Sequence, residues 1–248
     1  MSNIPEKKQI VKRPLVILPT FNEAESLPQL IEELGDLPRP IDILVVDDSS
    51  PDGTSELVAK SPGFGEQLFL LQRKRKSGFA SAYKDGYQWA LERDYDVCLG
   101  MDSDLSHDPK DILRLLEGVE NGADMVVGSR YFQGISVVNW PLYRLLMSIG
   151  AGIYVRTLTG LRLTDPTSGF SAIRRTVIES LDWDQVTSEG YGFLIEVKFF
   201  VSRQGFRLQE IPIVFTERRD GQSKFSGKII IEAVLRALGL GVLRIFQR

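Results

Sequence analysis

The chain reads as an α/β protein with a Rossmann-like, mostly parallel sheet and helices on both of its faces. Three observations predict this. Short apolar runs alternate with segments of helical period through the first half of the chain. The run V-C-L-G-M (97–101) is apolar throughout, as in a strand buried on both faces. Glu23, Asp47–Asp48 and Asp102–Asp104 each follow an apolar run. Right-handed crossovers gather such strand ends at one edge of a sheet, where open α/β sheets bind ligands.

The elements follow in order. Residues 1–13 are polar and are expected to be loosely held, as a flexible N-terminus. Residues 15–18 form the first strand; Pro19 stops its ladder and Asn22 is placed to cap a helix. That helix carries Leu27, Leu30, Ile31 and Leu34 at helical spacing and ends at Gly35. A second strand, 41–46, leads into D-D-S-S-P-D-G-T (47–54), an acidic pair followed by a turn and a helix start. A weaker third strand covers 67–71. The basic run Arg73-Lys74-Arg75-Lys76 reads as a solvated surface, with a phosphate- or membrane-facing role left open. Ser77-Gly78 then opens a helix carrying Ala82, Tyr83, Tyr87 and Ala90. The fourth strand is 97–101. Asp108 as N-cap and Pro109 in the first turn begin a helix that runs to Val119, and a fifth strand covers 125–127.

The second half changes character. Residues 139–157 form a long helix with a mostly apolar surface, and 163–173 a loop with a short strand. Residues 190–201 form a helix with Glu196 on an otherwise apolar surface. Pro212 marks the strand at 208–215 as an edge or irregular one. Residues 218–227 are a basic, glycine-bearing loop of the kind that moves. In the final helix, 228–248, Lys228, Glu232, Arg236 and Arg244 mark a narrow polar stripe. Charges at Glu232 and Arg236 argue against a membrane span. A helix lying in a membrane interface and a helix packed on protein are both open readings, as they are for 140–155.

Composition bounds the function. The chain has 248 residues, of which 43% are hydrophobic and 25% charged, ordinary for a soluble domain with a sizeable core. A formal net charge of −3 gives no overall attraction to nucleic acid. Cys98 is the single cysteine, so an internal disulfide is excluded; it reads as a small core residue in a cytoplasmic protein. The first residues hold no apolar stretch suited to secretion. No uncharged run approaches the ~20 residues that cross a bilayer.

Asp102 and Asp104 carry the sharpest chemistry. Carboxylates at that spacing repel unless a cation lies between or beside them, and Mg²⁺ takes one or two carboxylates while keeping positions for water and phosphate. The reading is a metal-bridged diphosphate site; the plainer alternative is an acidic turn with helix caps.

Taken together, P-T-F-N-E (19–23), V-D-D-S-S-P-D-G-T (46–54), D-S-D-L-S-H (102–107) and G-S-R-Y (128–131) resemble the family-2 glycosyltransferases of GT-A fold. D-P-T-S-G-F (165–170), G-Y-G-F (190–193) and G-Q-S-K (221–224) are similar to the polyprenyl- and dolichyl-phosphate mannosyltransferases within that family. The resemblance covers residues 15–231 in matching order. It implies a GT-A domain over 14–227, followed by the amphipathic helix 228–248. It also implies roles. Pro19, Phe21, Glu23, Asp47 and Asp48 would hold the donor nucleoside. Asp102 and Asp104, with Ser106 as a candidate third ligand, would bind Mg²⁺ or Mn²⁺. Arg130, Arg218 and Lys224 would meet phosphates. The donor would be GDP-mannose, the acceptor a polyprenyl or dolichyl phosphate, and the reaction inverting. The enzyme would sit peripherally at the cytoplasmic face of a membrane, with a membrane-protein partner as an option.

Some positions depart from the family pattern. Ser26 stands where Asn is frequent, Ser103 where a small apolar residue is usual, Ile135 where a second Gly is common and Ser171 where Arg is usual. Arg174 or Arg175 is the candidate to compensate for the last. His107 reads first as a solvated turn residue beside a helix start, with a metal contact as the rival. An acceptor phosphate is already an anion and attacks without losing a proton, so no general base is required. Three rival readings remain: a UDP-sugar donor such as UDP-glucose, an inactive nucleotide-binding subunit, and a signalling receiver domain. The last fails on order, since receivers place the acidic pair after the first strand in a chain about half as long.

Overall fold

Successive side chains of a strand point to opposite faces, so a strand apolar at every position needs cover on both. The central strands meet that need. The structure is a computed structural model and describes residues 9–217 and 227–246, with 227–230 described by backbone alone. Its elements are β1 (Pro14–Thr20), α1 (Leu27–Gly35), β2 (Asp42–Asp47), α2 (Thr54–Lys60), β3 (Leu68–Gln72), α3 (Phe79–Leu91), β4 (Val97–Gly100), α4 (Asp111–Glu120), β5 (Met125–Ser129), β6 (Val137–Val138), α5 (Leu142–Thr159), β7 (Ser171–Arg174), α6 (Arg175–Ser180), α7 (Tyr191–Arg203), β8 (Leu208–Pro212), β9 (Phe215–Thr216) and α8 (Gly227–Phe246). Val16, Leu18, Val45 and Leu99 pack with Leu27, Leu30, Val58 and Leu115, from α1, α2 and α4. Leu15, Ile17, Leu44 and Cys98 face the other way, onto Tyr83, Tyr87, Val177 and Val197 from α3, α6 and α7.

The main sheet has 7 strands in the order β3-β2-β1-β4-β7-β5-β8. All pairings are parallel except those of β7, which lies antiparallel between β4 and β5. The mostly parallel sheet expected from the sequence is therefore present, and the short strand near residue 173 turns out to be its antiparallel member. β8 is an edge strand, as Pro212 required. β6 and β9 form a separate parallel pair that the sequence pattern did not reveal.

Several local expectations are corrected. Residues 9–13 are tied down rather than loose: Val11 is buried, its N–H donates to Glu120, and the N–H groups of Lys12 and Arg13 donate to Asp96 Oδ2 at 2.6 and 3.1 Å. Asn22 caps no helix; it takes a left-handed conformation with φ 59°, and α1 begins five residues later, after Ser26. α4 starts at Asp111, while Asp108 accepts from the Lys110 N–H at 2.9 Å just before it. Arg174 and Arg175 lie at the end of β7 that pairs with Val97, opposite the acidic rim, so neither replaces an arginine at Ser171.

A further layer covers α7. Val155, Ile195, Phe199, Ala237 and Leu240 form a small core between α5, α7 and α8. The polar stripe of α8 faces this core. Arg236 pairs with fully buried Glu196 of α7, Glu232 accepts from the Glu189 N–H at 2.8 Å, and Arg244 donates to the Leu158 carbonyl at 3.3 Å. The apolar face points outward instead, with Ile231, Leu235, Val242 and Ile245 exposed, and Leu142, Tyr143 and Leu146 exposed on α5. No helix among the described residues is long and apolar enough to cross a membrane.

Gly100 ends β4 two residues before the acidic pair and marks a close approach. A Cβ there would fall 2.9 Å from Tyr83 Cε1 and 3.0 Å from the Gly169 carbonyl oxygen. Gly100→Ala is expected to destabilise the fold by about 1–3 kcal/mol through overpacking. In a chain of this size each kcal/mol lowers Tm by roughly 2–4 °C. A thermal melt checks this, and an unchanged Tm would show that the layer between β4 and α3 yields freely.

Candidate active site

Parallel strands end together, so the loops after β1, β2 and β4 meet at one rim. Side chains stitch them into one unit. The Asn22 N–H donates to Ser50 Oγ at 3.0 Å, the Ala24 N–H to Asp52 Oδ2 at 3.0 Å and the Glu23 N–H to Thr54 Oγ1 at 3.3 Å. Ser26 Oγ donates to the Ser103 carbonyl at 2.9 Å, and Ser103 Oγ to the Pro19 carbonyl at 3.1 Å. The two serines that depart from the family pattern thus form the seam between the first loop and the acidic loop. Each of the three loops holds one non-glycine residue in the left-handed region: Asn22, Ser49 and Leu105. For Leu105 that conformation costs about 1–2 kcal/mol.

The carboxylates divide into two kinds. Asp47 is fully buried. It accepts from Thr20 Oγ1, from the N–H and Oγ of Ser50 and from Ser55 Oγ. Asp48 accepts from Arg73 Nη1 and the Ser77 N–H at 2.9 Å each, and from the Gly78 N–H at 2.8 Å. Asp47 and Asp48, expected to hold the nucleoside, have oxygens that hold these loops in place. Arg73 is likewise no solvated residue, being paired with Asp48 and Asp85. Glu23 is buried, and Phe21 lies under the ammonium of Lys76, 3.4 Å from its ring centroid. Pro19 does not stop the ladder: it lies within β1 in register with Val46, and the pairing continues to Thr20 opposite Asp47.

Asp102 is the open carboxylate, its side chain 38% exposed. Asp104 Oδ1 accepts from the Ser106 N–H at 3.1 Å and from Ser106 Oγ. Ser106, the candidate third ligand, is buried and braces Asp104. Among the described residues no cluster of three or more His, Cys, Asp or Glu forms a metal cage. A pair of carboxylates in an open cleft fits the demand of Mg²⁺, which takes one or two carboxylates and completes its shell with water and phosphate. His107 is 5% exposed rather than solvated, because Phe170 stacks on its ring.

Arg130 does not turn into the cleft as a free phosphate ligand. Its Nε and Nη2 donate to the two oxygens of Asp165 at 2.6 and 2.7 Å, and Nη2 also reaches Thr167 at 2.9 Å. Burial pushes the Asp165 carboxyl up, but the guanidinium outweighs it and holds the group below the usual range. The residues around this pair were missed from sequence. Glu210 of β8 accepts from the N–H groups of Thr164 and Asp165 at 2.7 and 2.9 Å. Lys198 of α7 donates to the Ser168 carbonyl at 2.7 Å. The available signal was a second charge in the apolar run after Gly192-Phe193, two residues past the Glu196 already singled out. Arg144 of α5 was also missed; it pairs with Glu217 and lies 4.3 Å from the Trp140 ring centroid. Burial pushes the Tyr191 phenol up; the charges of Asp102 and Asp104 add to this, and those of Arg130 and Arg144 oppose it. Arg218 and Lys224 lie outside the described residues.

The sequence profile described as Glycosyl transferase family 2 matches residues 15–182. The chain is 44% identical to the undecaprenyl-phosphate mannosyltransferase of Micrococcus luteus, across 93% of this chain and 94% of that protein. It is 41% identical to the polyprenol monophosphomannose synthase of Mycolicibacterium smegmatis, across 96% and 90%. Among solved structures, glucosyl-3-phosphoglycerate synthase from Mycobacterium tuberculosis, crystallised with Mn²⁺ and UDP, superposes with a TM-score of 0.69 at 17% identity, covering 93% of this chain and 80% of that one. That last likeness establishes the shared fold.

Burial pushes the Lys198 ammonium down to about 7, against the pull of Asp165. A folded-state value below the unfolded one means that the unfolded chain binds more protons between pH 7 and 10. Stability from this group therefore rises with pH across that window, by at most about 1.4 kcal/mol per pH unit. Lys198→Met removes the titration. The Tm of the native protein relative to this variant is expected to climb from pH 7 to pH 9; a constant difference would mean that Lys198 does not titrate there.

Proposed function

The chain belongs to glycosyl transferase family 2, and we propose that it transfers mannose, with inversion, from GDP-mannose to a polyprenyl or dolichyl phosphate. One observation carries this. An open D-x-D pair stands at the end of β4 in a chain 44% identical, over nearly its whole length, to an undecaprenyl-phosphate mannosyltransferase.

Asp102 and Asp104 would hold Mg²⁺ or Mn²⁺. A divalent cation there neutralises the charge that develops on the leaving diphosphate. The chain's own residues do the rest. Phe21 offers a ring face for a nucleobase, with Lys76 beside it. Asp47 and Asp48 act from beneath, keeping residues 50 and 77–78 in the shape of the nucleoside pocket. Arg130, locked by Asp165, supplies a fixed positive field at the end of β5, and Arg144 stands near it. Arg218 and Lys224 would add direct contacts to the phosphates. An oxygen of the acceptor phosphate attacks the anomeric carbon, the bond from that carbon to the diphosphate breaks, and the nucleoside diphosphate leaves from the opposite face. The attacking oxygen is already anionic, so no side chain needs to remove a proton.

The outward apolar faces of α5 and α8 suit peripheral attachment to a bilayer, at its cytoplasmic face, where a lipid phosphate is presented. α5 starts beside Arg130 and Arg144, so this surface begins at the rim of the site.

With Mg²⁺ and a polyprenyl phosphate, GDP-mannose is expected to yield a lipid-linked mannose and Asp104→Ala to yield none. Radiolabelled product in an organic extract reads the result. Glucose transfer from UDP-glucose instead would keep the site and correct the donor, and full activity of Asp104→Ala would remove the metal assignment. Separately, Leu235→Glu with Ile245→Glu should leave Tm unchanged and weaken co-sedimentation with lipid vesicles roughly tenfold or more, since each buried aliphatic side chain contributes about 1.5–3 kcal/mol. Undiminished sedimentation would exclude α8 from the contact and leave a protein partner as the occupant.

A further inference from the structure

His107 is the only histidine of the chain, and its ring is clamped. Phe170 stacks on it with centroids 4.6 Å apart and planes at 22°, and Phe215 meets it edge-on at 5.2 Å and 80°. Its backbone forms an isolated antiparallel bridge with Phe215, and the Thr216 N–H donates to the Ser106 carbonyl at 3.0 Å. A ring packed on both sides at interior density has little room to turn.

That fixed ring sets Nε2 at 3.5 Å from Asp102 Oδ2. The other ring nitrogen, Nδ1, is buried and has no hydrogen-bond partner among the described residues. The two nitrogens are therefore unequal. A proton on Nδ1 would be a buried donor without an acceptor, at a cost of about 1–3 kcal/mol. A proton on Nε2 faces a carboxylate. The surroundings assign the proton to Nε2 and leave the Nδ1 lone pair against apolar atoms.

Asp102 needs a holder of this kind. Asp104 is braced by Ser106, whereas Asp102 stands at a strand end with its side chain 38% exposed. On its other flank is Gly169, where even an added Cβ would lie 3.8 Å from Oδ1. We infer that His107 is a positioning residue for Asp102: its Nε2–H, aimed by the Phe170 and Phe215 rings, holds the carboxylate in the orientation that receives a divalent cation. Site contacts near 3.5 Å commonly tighten when substrate binds. The partners of ligating carboxylates matter to metal affinity nearly as much as the ligands themselves. The inference rests on the reading of Asp102 and Asp104 as the cation site.

Mn²⁺ binding tests it without turnover, by the loss of the free-ion signal in electron paramagnetic resonance, in the presence of GDP and again of UDP. His107→Phe keeps an aromatic ring in the clamp and removes the donor. It is expected to bind Mn²⁺ about 10- to 100-fold more weakly, with a Tm close to that of the native protein. His107→Gln returns an N–H at similar reach and should recover most of the affinity. In an Asp102→Asn background the Phe substitution should add no further loss. Native affinity in folded His107→Phe, equal losses in the Phe and Gln variants, or an undiminished loss in the Asp102→Asn background would each overturn the inference while leaving the metal site standing. A native protein that binds no Mn²⁺ with either nucleotide would overturn the metal reading and this inference together.

Discussion

Asp165 carries a negative charge with none of its side chain in water, and the second half of the fold is arranged around keeping it paired. Arg130 from the end of β5 takes both of its oxygens, Glu210 from β8 fixes its backbone, and Lys198 from α7 holds the carbonyl three residues on. Three separate stretches of chain converge on one loop. Breaking such a pair from one side costs about 3–5 kcal/mol because it strands a charge in the interior. The loop so held leads directly into β7, the strand that enters the sheet against the direction of its neighbours. It also carries Gly169 against Asp102 and Phe170 against His107. A buried ion pair far along the chain thus decides where the acidic rim finds its walls.

The rim shows how one residue type serves two purposes. Asp47 and Asp48 look in sequence like Asp102 and Asp104, as acidic residues following an apolar run. Burial separates them. A carboxylate that accepts from several donors inside the protein is a structural crosslink, whereas Asp102 turns a side chain 38% exposed to the cleft. The left-handed Asn22, Ser49 and Leu105 belong to the same design, since sharp turns let each loop fold back onto its neighbour instead of running outward.

What could be read beforehand follows from this division. Local pattern revealed the strands, because period and apolarity are written in consecutive residues; Leu15 to Leu18 and Val97 to Met101 needed nothing else. It also located the loops where chemistry belongs. Pairings across long separations were invisible. The Arg130 ion pair was among them, because nothing near that residue in sequence announces Asp165, 35 positions away. His107 was read as solvated because the rings that cover it, Phe170 just before β7 and Phe215 of β9, lie far along the chain. The antiparallel placement of β7 and the burial of Lys198 are products of the assembled sheet. The polar stripe of α8 was seen correctly as a stripe, but its partner Glu196 lies on another helix, so which way it faced was open.

The outward apolar face of α5 and α8 changes the dimension in which the proposed reaction is run. A protein adsorbed by that face meets a lipid phosphate by sliding in a plane rather than by searching a volume. The effective acceptor concentration is then a surface density, set by how much acceptor the membrane holds and not by how much is dissolved. α5 begins next to Arg130 and Arg144, so the phosphate would have only a short rise from the headgroup layer while its hydrocarbon chain stays among other lipids. Acceptors of different chain length then present the same reacting end at the same height. Such a surface tells one phosphate-bearing lipid from another mainly by what lies next to the phosphate.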